Sequence, residues 1–190
     1  MITISEFFRK YYNKSVEYDN VARYQCVDYI KQYLSDHLGI SPGSWGDAKQ
    51  YYKRFNDPTW AGYKKMQVYF IRIPGAKDIQ KGDIVVWDGE YGHVAIANGE
   101  IGNDCFYAFE QNFAGKKKVT KNKHFRSDDI LGVLRPIWNV VTEDLNRRIA
   151  PSSNARIIDE LPEGDFVRWT DRKGNWKKIG DGWCFKNYLD

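Results

Sequence analysis

Cysteine is scarce in this chain of 190 residues. Cys26, Cys105 and Cys184 are odd in number and far apart, which excludes a disulfide framework and suits synthesis in a reducing compartment. No stretch approaches transmembrane length, and residues 1–30 hold no uninterrupted apolar run of the signal-peptide kind. Membrane insertion is therefore not expected, and a protein of this kind acting outside the cell would leave by another route or be read here in mature form. Low-complexity tracts are missing, so the whole chain reads as folded. Zinc-finger spacing and RNA-binding motifs are also missing, which removes nucleic acid as an expected partner. The net charge of +4 is a mild excess, spread out except for Lys116-Lys117-Lys118, and suits loose association with anionic polymers. Histidine is limited to three residues, so few side chains can serve as a base near neutral pH.

What is present in quantity is aromatic surface. Aromatic residues make up 16% of the chain, with seven Trp and thirteen Tyr, against 42% apolar and 28% charged residues. Much of this must be core, but the Trp count exceeds what a small core needs and hints at stacking against a ligand. Thr3 and Glu6 have capping-box spacing ahead of Phe7, Phe8, Tyr11 and Tyr12, so a first helix is predicted there. Val27, Ile30, Tyr33, Leu34 and Leu38 recur at helical spacing, with Gly39 placed as a C-terminal cap, and Asp47–Arg54 suggests a short third helix. From residue 66 the pattern turns to strands: MQVYFIRI, IVVW, HVAIANG, FYAFEQNF and LGVLRPIW. Helices followed by an antiparallel meander predict an α+β domain in two layers over residues 1–138. Residues 139–144 read as a linker, and 145–190 as short strands broken by turn residues, predicting a small all-β barrel.

Three places carry candidate chemistry. Cys26 falls at the first turn of the second helix, where unpaired backbone N–H groups favour an anion such as a thiolate. The alternative is a small buried apolar residue, the commonest fate of a lone cysteine. His93 follows a Gly-punctuated bend and begins a strand, a place from which a rigid sheet can present a base; His37 and His124 are expected at the surface. Glu110 and Asn112 lie two residues apart, so strand alternation puts both on one face, with Cys105, Tyr107 and Phe109 filling the core on the other. Either polar side chain could orient an imidazole, as the third member of a triad does. An ordinary polar pair on a solvated sheet face is the bland reading.

The strings RYQCVDYIKQYL, KGDIVVWDGEYGHVAIANG, FEQNF and GVLRP, in that order, resemble the CHAP amidohydrolase/peptidase family over residues 5–138. The resemblance implies a papain-like α+β fold and cleavage of an amide bond in peptidoglycan, as in phage endolysins. The bond would be that of an N-acetylmuramoyl-L-alanine amidase or of a peptide endopeptidase. It matches Cys26 to the nucleophile, His93 to the base, Glu110 to the group that orients it, and Asn112 to a supporting position. Gln25 matches the glutamine whose amide, with the Cys26 N–H, would stabilise the oxyanion. Trp45 and Trp60, in loops after the nucleophile helix, are candidates for a substrate groove. It further implies synthesis in a host cytoplasm without a signal peptide, action on the wall after release, and a monomer.

Glu17, Asp19, Val21, Arg23 and Asp28 occupy positions 1, 3, 5, 7 and 12 of a loop, the ligand spacing of an EF-hand. Val21 and Arg23 could offer only backbone carbonyls, Ala22 replaces the turn glycine, and position 12 is Asp, so a true EF-hand is excluded. Calcium is the expected ion, with no cofactor needed for the chemistry itself. Alternatively, Asp28 only complements the helix start. LNRRIAPS and GWCFKNYL resemble the opening and close of bacterial SH3-like wall-binding domains, with Arg148 a departure. Trp169, Trp176 and Trp183 there divide between core and ligand. A catalytically inactive wall-binding protein is the competing reading, but it would need a broken triad. An NlpC-type cysteine peptidase, the third, would want histidine where Glu110 and Asn112 stand.

Overall fold

The computed structural model describes residues 4–137, 139–163, 166–167 and 169–189. The chain divides into two compact units, Met1–Pro136 and Ile137–Asp190. The first unit is α+β. Helix α1 (Ile4–Tyr11) buries Ile4, Phe7 and Phe8, one apolar face at helical spacing; Thr3 of the expected capping box lies outside the described residues. Helix α2 (Cys26–Asp36) starts where the Asp28 carboxylate accepts the Gln25 N–H at 2.7 Å, satisfying a donor that the helix start would leave open. Beyond its end Gly39 adopts φ 63°, a left-handed conformation that glycine takes without strain.

Helices α3 (Ala48–Lys53) and α4 (Tyr63–Tyr69) follow. The second corrects the expected strand MQVYFIRI, whose first half is helical. Met66 is fully buried, and Gln67 donates to the Phe55 carbonyl and the Asn56 side chain at 2.8 and 2.9 Å, so helix contacts settle a short apolar run that periodicity leaves ambiguous. Strand β1 (Phe70–Pro74) begins only there.

Strands β2 (Ile84–Trp87), β3 (His93–Ile101), β4 (Cys105–Glu110) and β5 (Thr120–Phe125) form an antiparallel meander. β6 (Ile130–Pro136) returns between β1 and β2, giving the order β1-β6-β2-β3-β4-β5. The expected simple meander is thus interrupted. Gly132 makes the insertion possible: a side chain there would stand 2.2 Å from the Ile73 carbonyl and 2.5 Å from the Tyr52 ring. Helix α2 packs against β3 and α3 against β2, β3 and β6, so β2 is buried along its whole length. In β4 the buried face is Phe106, Ala108 and Glu110, while Cys105, the expected core filler, is only half-buried with Tyr107 and Phe109.

The second unit is all-β. β7 (Asn139–Val140) pairs with β10 (Phe166–Val167), and β8 (Leu145–Arg148), β9 (Ile157–Leu161), β11 (Trp169–Lys173), β12 (Trp176–Ile179) and β13 (Gly182–Phe185) form a sheet in the order β11-β12-β13-β8-β9. Its core contains Val141, Leu145, Val167, Ile179, Cys184 and Leu189. Residues 139–144 are therefore not a free linker: Val141 is fully buried and bridges Leu189 at the chain's end, and the Thr142 N–H donates to Tyr188. A few apolar residues close to the break were needed for so small a core. Among the described residues no helix is long and apolar enough to cross a membrane.

Candidate active site

Cys26 is the first residue of α2 and lines a cleft of about 540 Å³ together with Gln25, Lys31, Tyr91, His93 and Asn112. His93 is presented by the bend before β3, which α3 holds from outside: the Lys49 N–H donates to the Tyr91 carbonyl at 3.2 Å and its ammonium to Gly89 at 3.1 Å. Gly92, at φ 73°, lets α3 come this close, since a side chain there would sit 2.7 Å from Lys49.

Strand register assembles the rest. β3, β4 and β5 are neighbours, and His93, Glu110, Asn122 and His124 are brought together by hydrogen bonds from one strand to the next. His93 Nε2 donates to Glu110 Oε2 at 2.6 Å, and the ring shares its cleft with Cys26. With Nε2 committed to the carboxylate, Nδ1 is the nitrogen left for the sulfur. Glu110 is wholly buried, yet every acceptor it offers is used: Oε1 takes His124 Nε2 at 2.7 Å and Asn122 Nδ2 at 2.8 Å. Burial opposes the charge on Glu110, but the hydrogen bonds from His124 and then His93 hold its pKa below the usual carboxylate range. Burial likewise opposes charge on His93, but the neighbouring Cys26 sulfur, then the hydrogen bond to Glu110, raise its pKa to about 9.

His124 is thus not the surface residue expected; it is 4% exposed, packed by Trp87, Phe106 and Phe113 with ring centroids 4.8, 5.6 and 5.2 Å away. Its basic neighbours Lys121 and Lys123 disguised it in sequence, but it alternates with them, so strand parity was the available signal. His37 is buried as well and stacks on Tyr33. Asn112 also departs from expectation. β4 ends at Glu110, Asn112 turns out of the strand at φ 61°, and its amide donates to Gln25 Oε1 at 2.7 Å. It holds Gln25, whose Nε2 end is left for the cleft. Gln111, between them, was missed; it donates to the carbonyls of Val16 (2.8 Å) and Gln25 (3.0 Å), tying the residue before Cys26 to the end of β4.

Trp45 and Trp60 do not line the groove. Each is 4% exposed, they meet edge to face with Tyr51 beside them, and Trp60 donates to the Trp45 carbonyl at 2.8 Å. Closing the loops after α2 required a core of its own, and the two indoles supply it.

Glu17, Asp19 and Asp28 gather with one oxygen from each within 4.8 Å of the others. Asp19 pairs with the buried Lys31 at 2.5 Å, and Glu17 Oε2 accepts the Tyr24 N–H at 3.2 Å. Glu17 Oε1 and Asp28 Oδ1 are buried with no hydrogen-bond partner. Burial raises the Asp28 pKa, against the Gln25 N–H and with the charges of Glu17 and Asp19. Orphaned carboxylate oxygens at one point are the donor set of a hard cation. Val21 and Arg23 lie on the exposed loop with only their main chain to offer.

A buried carboxylate thus holds a histidine at the cleft that the helix-start Cys26 lines. The CHAP domain model matches residues 16–112, just over half of the chain, and a bacterial SH3 domain model matches residues 143–190. The chain belongs to the CHAP family, and its second unit is a bacterial SH3 domain. No curated protein matches it in sequence. Among solved structures, the fold is similar to the crystal structure of Ly7917, with a TM-score of 0.53 and 17% identity over 100% of this chain and 97% of that one. A second structure of Ly7917, described as holding the hydrolyzing product of MDP, aligns at a TM-score of 0.48 and 18% identity, over 97% and 94% of the two chains.

Proposed function

We propose that the chain hydrolyses an amide bond of peptidoglycan with Cys26 as nucleophile. A CHAP domain followed by a bacterial SH3 domain supports a peptidoglycan hydrolase. The observation that carries the mechanism is the His93 ring, which shares a cleft with Cys26 and is hydrogen-bonded to the buried Glu110. With its pKa raised to about 9, His93 takes the proton of the Cys26 thiol as the sulfur attacks and holds it at neutral pH. The sulfur adds to the amide carbon, and the Cys26 N–H and the Gln25 amide receive the oxyanion, worth about 3–4 kcal/mol in comparable sites. The C–N bond breaks as His93 gives its proton to the departing nitrogen. Water, deprotonated by His93, then releases the acyl group as a carboxylate.

The test is mass spectrometry of fragments released from purified peptidoglycan. A free stem alanine amine marks the muramoyl amidase, and a new amine within the peptide marks the endopeptidase. Release of nothing by the intact protein defeats the proposal.

Glu17, Asp19 and Asp28, with the carbonyls of Val21 and Arg23, are proposed to hold calcium; the two orphaned oxygens are what support it. The ion would neutralise the crowded carboxylates and so steady the start of α2. The SH3 domain is proposed to anchor the enzyme to the wall through a groove of about 700 Å³, lined by Trp176, Phe185 and Tyr188 with Glu143 and Arg148 at hand. Trp176→Ala in the full chain should leave more protein in the supernatant when walls are pelleted.

A further inference from the structure

Lys31 belongs to two places at once. It stands on α2 about one turn past Asp28 and lines the cleft with Cys26, while its ammonium donates to Asp19 Oδ2 at 2.5 Å. Its side chain is 8% exposed, and among the described residues Asp19 is the one carboxylate it pairs with. Burying an ammonium this deep is costly unless an opposite charge lies against it.

Asp19 has no oxygen left over: Lys31 holds Oδ2, and the Val21 N–H donates to Oδ1 at 3.2 Å. Its two neighbours differ. Glu17 Oε1 and Asp28 Oδ1 are buried without a hydrogen-bond partner, and Asp28 is wholly enclosed. A cation at this point would therefore find two of the three carboxylates open and the third engaged by an ammonium. Charge tells the same way. Three carboxylates and one ammonium leave two negative charges, which one divalent ion cancels. With the ammonium gone, three would remain to draw a cation in.

We infer that Lys31 is a tethered cation that competes with the bound ion at Asp19. It sets the affinity of the site below what the three carboxylates alone would give, and it fits their charge to a divalent ion. Lys31 is neither a ligand nor a catalytic residue; it acts on the ion through the Asp19 carboxylate. The inference rests on the calcium reading above.

The test is calorimetry of the full chain, stripped of metal, with calcium and separately with terbium, a trivalent cation that also takes oxygen ligands. Lys31→Met keeps the stem that walls the cleft and removes the charge. It should bind calcium about tenfold more tightly than the wild type, because the charge count of the ligand set governs affinity. Repulsion by an ammonium scales with the charge of the ion, so the gain for terbium should be the three-halves power of that for calcium, about thirtyfold. Lys31→Gln keeps a donor for Asp19 without the charge and should show the same two gains. It carries the test if the methionine variant fails to fold. Equal gains for the two ions would assign the effect to packing, and calcium binding unchanged or weakened in the neutral variants would make Lys31 a wall of the cleft and nothing more. Either result overturns the inference and leaves the cation site standing. A wild-type protein that binds neither ion overturns the site and the inference together.

Discussion

The first unit contains two centres of buried carboxylate, and they are finished to different degrees. Glu110 is fully enclosed, and three side chains on neighbouring strands satisfy it. Glu17, Asp19 and Asp28 crowd together with one lysine among them and two oxygens unpaired. Burying a carboxylate is expensive unless its charge and lone pairs are met. The protein meets that cost from its own side chains around Glu110, and at Glu17, Asp19 and Asp28 the proposed calcium ion would meet it. The difference teaches which centre should depend on solution conditions.

The largest effects are expected at the finished centre. Cys26→Ser should keep the fold and wall adhesion but lower lysis of wall suspensions by orders of magnitude. His93→Ala should match it, and the double variant should be no worse, because the two act as one unit. Glu110→Ala strands two histidines and Asn122 around a void. A loss of about 3–5 kcal/mol in denaturant melts, together with lost activity, is expected. A stable, active Glu110→Ala protein would mean that the centre is not finished by Glu110 at all.

Next in size comes the unfinished centre. Calcium at a hundredfold excess over its Kd should stabilise the fold by about 2.7 kcal/mol, with chelator reversing both melting temperature and lysis. Asp19→Ala should abolish the response. A melting curve of metal-free protein that ignores calcium would make the two centres alike and return Asp28 to a helix-start charge.

The two centres should also answer pH with opposite signs. Glu110 has a lowered pKa, so its contribution is present above 4.5 and lost as acid carries it through the lower folded value. Asp28 has a raised pKa, so its penalty is absent below 3.8 and grows as pH rises through the folded value. Calcium should erase the second trend and leave the first. His93, raised to about 9, contributes fully below 6.5 and loses that contribution as pH climbs through 9, where lysis should fall too. The smallest effect should come from His124→Gln, which keeps a donor for Glu110: roughly 1 kcal/mol in stability, with a shift in the alkaline limb of the rate profile as its distinguishing sign.

Cys26 and His93 were legible because each sits at a local signal, a helix start and a strand start after a glycine bend. Glu110 was legible through the family resemblance, while strand parity alone had put the core on the opposite face of β4. The charge spacing of Glu17, Asp19 and Asp28 was legible as a local signal too. His124 and Asn122 were not, because they matter only through the pairing of β5 with β4, and register is a relation between segments far apart in sequence. Asn112 was misjudged because strand alternation was carried two residues past the strand's end. Trp45 and Trp60 looked like binding residues in loops until Tyr51 joined them in a core.

The sequence by itself determined the α+β order of elements, the amphipathic faces and the polar groups at their ends, since these follow from steric and hydrogen-bonding rules acting over a few residues. Tertiary structure alone decided that β6 returns beside β2, that Val141 closes the SH3 core, and which partners surround Glu110. Those outcomes depend on burying particular surfaces against one another, and no window of neighbouring residues contains both surfaces.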